Sequence, residues 1–441
     1  MSSSAGKSTF LPGWLARLGR AGPALVRQLL AARLRAPGRP RLYLIDPSYQ
    51  NDYGHYRAVA ERLGAECAAR GWSFFHLTGP LDPAPPSARA PVFQYVARLP
   101  VHLREPGMER PLLRNLHLDT TRVLRRFARV LGGVLALDRA LFPDGDAYFL
   151  FYTGEFLHPW ALLDGGRLGR RQHFVVFQFL LPPRFAELAE QTRFRQHARL
   201  LARRLATAGD SAARVRVATD SPALQRWLAP TLGERLEILP PPFLSAADFA
   251  ALPEAAALAR RPHPCAYFGY LTGKHGWHHV LHLLQRQAGQ ATRWLVQLDY
   301  KNAEFADREK ARAAIAAAGA TLIEGHLDPV QFSAAMARCA SVLLPYRARD
   351  YAYISSAKLI LALGHGCFPI VPAGTWLDEI VREAGYGLAV AEREWPEVPR
   401  RLAALDLPAL WAARRERVRE LVSRYTPGAL LDWLCQPPSQ I

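Results

Sequence analysis

Apolar residues occur along this chain as short continuous runs, and stretches with helical spacing separate one run from the next. A continuous apolar run of about four to eight residues between turn signals is typical of a strand buried on both faces of a parallel sheet. Alternation of such strands with helices predicts an α/β fold made of doubly wound parallel sheets. The predicted strands are 41–46, 72–77, 147–152, 173–181, 215–219, 238–243, 265–269, 294–298, 321–323, 341–346 and 367–372.

The predicted strands fall into two groups, and a chain of 441 residues is long enough for two domains that each have a core. Three consecutive prolines at 240–242 separate the groups, and a triple proline cannot continue a helix or a strand. We therefore predict a first domain at 41–243 and a second at 244–405. Residues 1–40 precede them, and 406–441 hold two C-terminal helices.

Two helix starts in the second domain have the features of an anion site. One is the turn Gly269–Gly276, which contains three glycines and Lys274. The other carries Ser355, Ser356 and Lys358 in its first turn. Free backbone N–H groups, the positive end of the helix dipole and side-chain donors together suit a phosphate. Ordinary capping by serine, beside a lysine in solvent, is the alternative at such a helix start.

A series of short motifs runs through the second domain from a serine and a lysine-leucine pair to a glycine-leucine pair. Its members are Ser356, Lys358, Leu359, Gly366, Pro369–Val371, Gly374, Glu379–Val381, Gly387 and Leu388. In this order they resemble the donor-nucleotide half of the retaining, group 1 glycosyltransferases of the GT-B fold. That family also has a pair of glutamates that handle the donor sugar and the ribose. Tyr353 and Leu361 stand at those positions here.

The resemblance implies two Rossmann-like domains that face each other across a cleft, with a terminal helix that crosses back onto the first domain. It also implies a nucleotide-diphosphate sugar as donor, used without a metal ion or another cofactor. The implied diphosphate-binding residues are Gly269, Lys274, His275, Ser355, Ser356 and Lys358. The implied base and ribose contacts are Gly325, His326 and Leu327.

Candidate acid or base groups in the first domain are His55 and Glu155, which follow the strands 41–46 and 147–152. Ligand crevices of doubly wound domains lie at the carboxyl edge of the sheet, and activation of an acceptor needs a proton-accepting group there. A capping or partly buried histidine and a solvent-exposed glutamate are the structural alternatives.

Four histidines cluster where the second domain's glycine-rich turn enters its helix. His275, His279 and His282 share one helical face, and His278 is adjacent. We predict no metal site, because no carboxylate or cysteine lies near them in the sequence to complete one.

Lysine and arginine outnumber aspartate and glutamate by 56 to 38, and arginine carries almost all of the resulting net charge of +18. The arginines are dispersed and belong to no recognised module, which argues against nucleic-acid binding. Residues 1–40 combine basic residues with leucine and tryptophan and contain no acid, a composition suited to an anionic membrane surface. A helix packed on the parent domain, or a disordered arm, is an equally good interpretation.

The five widely spaced cysteines do not form a disulfide framework or a paired metal motif, which favours a reducing compartment. No apolar run reaches the ~18 residues that a transmembrane helix needs, and arginines interrupt any secretory signal. We expect a cytoplasmic protein that can rest on the inner face of the cell membrane.

The leading hypothesis is a metal-independent glycosyltransferase, similar to hexosyltransferases, that moves a sugar from a nucleotide-diphosphate donor. Its acceptor would be lipid-linked or a polysaccharide in the synthesis of a cell-surface glycan. A sugar-nucleotide epimerase of the same fold would act on the donor alone. A glycosyltransferase-like partner subunit that binds a nucleotide without catalysis is a third possibility, because the glutamate pair is missing.

Overall fold

The structure is a computed structural model that divides into two compact units. The first contains residues up to Thr219 together with Trp227–Ile238 and the chain from Gln436, and the second contains Asp220–Arg226 and Leu239–Cys435. The residues that the structure describes are 22–35, 38–46, 55–78, 89–90, 116–152, 156–163, 168–177, 188–250, 252–289, 293–300 and 305–437.

The first unit is built on a seven-stranded sheet in which every pair of neighbours is parallel. Its strands are β1 (Arg41–Asp46), β2 (Ser73–Thr78), β3 (Arg89–Ala90), β4 (Ala147–Phe151), β5 (Gln172–Phe177), β6 (Val215–Thr219) and β7 (Leu236–Ile238), in the order β3-β2-β1-β4-β5-β6-β7. The helices along this part of the chain are α1 (Gly22–Arg35), α2 (His55–Ala69), α3 (Leu116–Leu141), α4 (Leu157–Leu163), α5 (Leu188–Thr207) and α6 (Pro222–Leu232).

A buried polar cluster joins the amino ends of two strands of this sheet to helix α3. The Asp138 carboxylate accepts hydrogen bonds from Arg41 Nε at 2.8 Å, Tyr43 Oη at 2.7 Å and Gln172 Nε2 at 2.8 Å. Arg41 and Asp138 are each 1% exposed. Because buried charges need partners, this cluster fixes the position of α3 on the sheet.

The second unit is built on a six-stranded parallel sheet in the order β10-β9-β8-β11-β12-β13. Its strands are β8 (Ala266–Tyr270), β9 (Leu295–Asp299), β10 (Thr321–Glu324), β11 (Ser341–Leu343), β12 (Phe368–Pro372) and β13 (Leu388–Val390). Its helices are α7 (Ala246–Ala250), α8 (Ala255–Leu258), α9 (Trp277–Arg286), α10 (Phe305–Ala317), α11 (Pro329–Met336), α12 (Ala348–Tyr351), α13 (Ala357–Gly364), α14 (Trp376–Ala384), α15 (Val398–Ala403), α16 (Leu407–Ser423) and α17 (Pro427–Cys435).

Three tryptophans anchor the core of the second unit around its sheet. Trp376, Trp395 and Trp411 are at most 1% exposed. The helix of Trp376 packs on β12, whereas the segments of Trp395 and Trp411 pack on neighbouring helices. The Trp411 indole donates to Pro253 O at 2.9 Å, so its polar edge is satisfied inside the core. Helices α16 and α17 lie where the sequence predicts them and belong to this unit. Their crossing onto the first domain stays a prediction.

The sequence-predicted fold class is confirmed, because both sheets are parallel and their helices follow the strands in alternation. The short strand β3 is not among the strands that the sequence predicts. The continuous apolar run of β12 is buried at every position, as its composition predicts.

Helix α1 covers part of the basic N-terminal segment and packs on α3. Leu25 and Leu29 are fully buried, whereas Leu30 is 43% and Leu34 is 86% exposed. For residues 22–35, the interpretation of a helix packed on its parent domain is therefore the one that the structure supports. Among the described residues, no helix combines the length and the apolar character needed to span a bilayer. The five cysteines all lie within the described residues and are free.

Candidate functional site

The strand order of the second sheet reverses between β8 and β11, and a doubly wound sheet opens a ligand crevice at such a point. The two strands are adjacent in register, with Val342 opposite Ala266. The loops that leave them also meet, because Arg347 N donates to Lys274 O at 3.1 Å. The glycine-rich turn after β8 and the loop after β11 therefore form one continuous structure.

Gly276 allows these two loops to approach closely. Its φ of +70° lies in the left-handed region, and a Cβ atom there would lie 1.6 Å from Pro345 O. Only glycine fits, since both the conformation and the contact exclude a side chain. A Cβ at Gly269 would lie 2.5 Å from the Tyr267 hydroxyl oxygen, so the aromatic ring also requires a glycine there.

Lys358 enters the crevice from the first turn of α13. Its Nζ donates to Phe268 O in β8 at 2.7 Å and lies 5.7 Å from the centroid of the Tyr270 ring. Burial lowers the pKa of Lys358 to about 8, while the carboxylate of Asp299, at the carboxyl end of β9, raises it. The ammonium group is thus charged at pH 7 but poorly solvated, and an anionic ligand would stabilise it.

Lys274 and His275 belong to the glycine-rich turn that leaves β8. Lys274 is exposed, and its Nζ lies 5.5 Å from the centroid of the Tyr351 ring. Loss of hydration beside the protein surface lowers the pKa of Lys274, while the nearby Asp350 carboxylate raises it. His275 Nδ1 is 2.6 Å from Thr272 Oγ1. Burial lowers the pKa of His275 to about 3, with further lowering by the charges of Lys358 and Lys274. Both lysines therefore act on one imidazole, which stays neutral at physiological pH.

The serines that precede α13 offer hydroxyl groups at the same helix start. Ser355 is 5% exposed, and its Oγ has no hydrogen-bond partner among the described residues. Ser356 is the N-cap residue, but its side chain makes no capping hydrogen bond. It bonds Tyr346 instead, which partly offsets the rise that burial causes in the Tyr346 pKa. A buried hydroxyl without a partner is costly in a folded protein and is expected to contact a ligand.

The predicted base and ribose contacts lie at the carboxyl edge of the same sheet, after β10. Gly325 has a φ of +88°, and its carbonyl accepts from Gln297 Nε2 at 2.5 Å. His326 is exposed, with Nδ1 3.9 Å from Asp299 Oδ2, and Leu327 is half-buried. The structure thus places this loop beside Asp299, the residue that also acts on Lys358.

The side chains of the two acid or base candidates of the first unit lie outside the described residues. Glu155 lies outside the described residues, and His55 begins α2 with a side chain that is outside them. Their assignment stays a prediction.

The sequence analysis did not assign four residues that contact the predicted diphosphate-binding residues or change their pKa. They are Thr272, Tyr270, Tyr346 and Asp299. Asp299 carried a signal, because it directly follows the predicted strand 294–298, at the carboxyl edge where doubly wound sheets bind ligands. The two tyrosines carried none, since aromatic residues in or beside a buried strand are ordinary core residues.

No protein-family model matches the sequence, and no curated protein matches it either. Solved structures do match. WaaG, a glycosyltransferase involved in lipopolysaccharide biosynthesis, is 15% identical with a TM-score of 0.53, over 90% of this chain and 99% of that chain. Sucrose-phosphate synthase from Thermosynechococcus elongatus is 16% identical with a TM-score of 0.57, over 90% and 97%. The trehalose-6-phosphate protein from E. coli bound with UDP-2-fluoro glucose is 12% identical with a TM-score of 0.54, over 90% of this chain and 99% of that chain.

The chain has the GT-B fold. Identities of this size establish the architecture and leave the chemistry to be argued from the residues of the crevice. The lysines and serines described above lie in the second unit, whose sequence motifs resemble the donor-nucleotide domain of GT-B glycosyltransferases. The two positions that resemble the glutamate pair hold Tyr353 and Leu361, both half-buried, and neither side chain is a carboxylate.

Proposed function

We propose that this GT-B protein is a glycosyltransferase that uses a nucleotide-diphosphate sugar as donor. One observation carries the proposal: Lys358, which donates to Phe268 O of β8, and Lys274, whose carbonyl accepts from Arg347 N of the loop after β11, both lie at the strand-order switch point of the second sheet. Two ammonium groups at such a crevice match a diphosphate in charge and in position. The acceptor would be a lipid-linked glycan or a polysaccharide, consistent with the role of WaaG in lipopolysaccharide biosynthesis.

Negative charge develops on the diphosphate as its bond to the sugar breaks, so cationic groups at that point lower the barrier. Lys358 is half-buried in the first turn of α13, where the helix dipole adds a favourable field. Ser355 Oγ would donate to a phosphate oxygen, which gives its buried hydroxyl a partner. We propose that these groups supply the charge stabilisation that a divalent ion provides in metal-dependent transferases.

Lys274, Lys358, Ser355 and His275 together form what we call the diphosphate cradle. His275 would serve in it as a neutral hydrogen-bond donor. A Thr272 hydroxyl that donates to Nδ1 places the ring proton on Nε2, because a neutral imidazole carries only one. With its pKa lowered to about 3, the ring adds a hydrogen bond without a titration near neutral pH.

The missing carboxylates favour one alternative, a nucleotide-binding partner subunit without catalysis. Leu361 can neither accept a proton nor bind a ribose hydroxyl, and Tyr353 is a much weaker acceptor than a carboxylate. Such a subunit would retain the lysine and serine cradle and lack turnover.

Thermal-shift measurements with UDP, GDP and ADP, followed by product analysis with the matching donor sugars, separate these functions. A diphosphate that binds only the folded protein raises its unfolding temperature. Sugar transfer that needs both donor and acceptor supports the proposal, whereas an epimer formed from donor alone supports the epimerase. Binding without any turnover supports the partner subunit. If none of the three nucleotides binds, the donor site is wrong.

We further propose that the N-terminal segment contacts the anionic inner surface of the cell membrane. The exposed Leu30 and Leu34 lie on a helix that carries Arg33 and Arg35 in its last turn, so apolar and basic groups are presented together. Cosedimentation with anionic and with neutral vesicles tests the idea. Loss of anionic-vesicle binding in a Leu30→Ser, Leu34→Ser double variant is expected, and equal pelleting of variant and parent would refute it.

A further inference from the structure

Helix α9 follows the glycine-rich turn and carries a second group of residues that can bind a ligand. His278 and His279 lie in its first turn, and their ring centroids are 4.0 Å apart. The sequence argument against a metal here was that no carboxylate lies nearby. That premise is wrong, because the fold brings Glu392 to the two rings. Its Oε1 is 3.1 Å from His279 Nε2 and 3.8 Å from His278 Nε2.

We infer that His278, His279 and Glu392 form a binding site for a divalent transition-metal ion such as Zn²⁺. Their ligand atoms, two imidazole Nε2 and one carboxylate oxygen, all lie within 4.8 Å of one another. Tetrahedral zinc with bonds of about 2.0–2.1 Å separates its ligands by about 3.3–3.5 Å. The two distances to Glu392 bracket that value, and rotation of the exposed His278 and Glu392 side chains would bring the third pair, which is within 4.8 Å, to a similar separation. A water molecule would be the fourth ligand.

The segment that supplies the carboxylate also orients one of the histidines. Glu392 begins the 3-10 helix Glu392–Glu397, and Trp395 in the same helix stacks on His279 with ring centroids 5.1 Å apart. Trp395 is 1% exposed, so it is a rigid support. His279 is 13% exposed at its side chain, against 59% for His278 and 69% for Glu392. One ligand is thus held in place while two remain free to close on an ion.

The site differs from the proposed diphosphate cradle in its residues and in its expected role. His275, which lies in the cradle, and His282, which lies one helical turn beyond, are not among the residues whose ligand atoms come together. A bound ion would join α9 to the chain at 392–397, more than 100 residues later, and so stabilise the folded unit. The inference does not depend on the proposed function.

Isothermal titration of chelator-treated, full-length protein with ZnCl₂ tests the site. We expect one equivalent of zinc to bind the parent and to raise its unfolding temperature. The Glu392→Gln and His278→Asn variants change exposed side chains and should each bind about tenfold more weakly or worse. The matched control is His326→Ala, which removes an exposed histidine that also lies beside a carboxylate, Asp299. Its zinc affinity should equal that of the parent.

Co²⁺ substitution provides a second readout, since the visible absorption of bound cobalt reports its coordination number. The parent should give a four-coordinate spectrum that Glu392→Gln lacks, while both proteins keep the same near-ultraviolet circular dichroism. Unchanged zinc affinity in Glu392→Gln and His278→Asn would overturn the inference, as would loss of binding in His326→Ala. A variant that binds UDP like the parent but no zinc would show that the two sites are independent.

Discussion

Replacement of Lys358 by methionine separates a ligand-binding role for this lysine from a structural one. Methionine retains an unbranched apolar side chain as far as Cε and removes the ammonium group. A hydrogen bond between charged groups contributes about 1.5–3 kcal/mol, so the variant should bind its nucleoside diphosphate about 10- to 150-fold more weakly. Sugar transfer should fall by at least the same factor, because the interaction strengthens as the leaving group gains charge.

The same substitution should leave the free protein at least as stable as the parent. Burial lowers the pKa of Lys358 to about 8 from an ordinary value of 10.5, which corresponds to about 3 kcal/mol of unfavourable free energy for the charged form. Loss of the hydrogen bond to Phe268 O costs about 1.5–3 kcal/mol. The free energy of unfolding should therefore stay the same or rise by up to about 2 kcal/mol.

Titration calorimetry with the diphosphate that binds the parent gives the affinity, and urea unfolding gives the stability. Lys310→Met is the matched control, since Lys310 is an exposed lysine of α10 in the same unit and the variant loses the same charge. A Lys358→Met protein that is folded and binds the diphosphate within threefold of the parent would refute the role assigned to this lysine. A large loss of stability without ligand would show that the ammonium group is mainly structural.

Three further outcomes follow from the geometry. Gly276→Ala should destabilise the protein by about 3 kcal/mol or more, because alanine strains the left-handed backbone and its Cβ clashes with the Pro345 carbonyl. Gly273→Ala is the control, since a Cβ there meets no described residue within 4 Å. That variant should unfold at nearly the parental urea concentration. Diphosphate affinity should be nearly constant between about pH 7, above which the terminal phosphate is fully ionised, and about pH 8, and should then weaken by up to about tenfold per pH unit as Lys358 loses its proton. A flat calorimetric profile from pH 8 to about pH 9.5 would contradict this. Asp138→Ala leaves the Arg41 guanidinium buried without its carboxylate and should cost about 3–5 kcal/mol in urea unfolding.

The fold was predictable because its signals are local. Each strand of a doubly wound sheet is a short apolar run, and the glycine-rich turn Gly269–Gly276 is written contiguously in the chain. The strand β3 was missed because it has only two residues and lies in a stretch rich in proline and alanine. Such a strand has no periodicity to detect.

The candidate site was predictable only in part, because half of its geometry comes from residues far apart in sequence. The sequence marks Lys358 at a helix start, but only the fold brings its ammonium group to the carbonyl of Phe268, 90 residues earlier. It also cannot show that Pro345 needs a glycine at 276, nor that Glu392 lies against His279. Pairings of this kind depend on the strand order, which a single sequence leaves open.

The division of the chain has a practical consequence for separate production of the nucleotide-binding half. A gene fragment that begins at Leu239 would omit Asp220–Arg226, which belongs to the second unit. The Asp220 carbonyl accepts the indole N–H of Trp376 at 3.1 Å, and Trp376 is fully buried. The truncated fragment would enclose an indole donor without an acceptor, at a cost of about 1–3 kcal/mol. A fragment that begins at Asp220 keeps that acceptor, and it carries Trp227–Ile238 of the first unit with it.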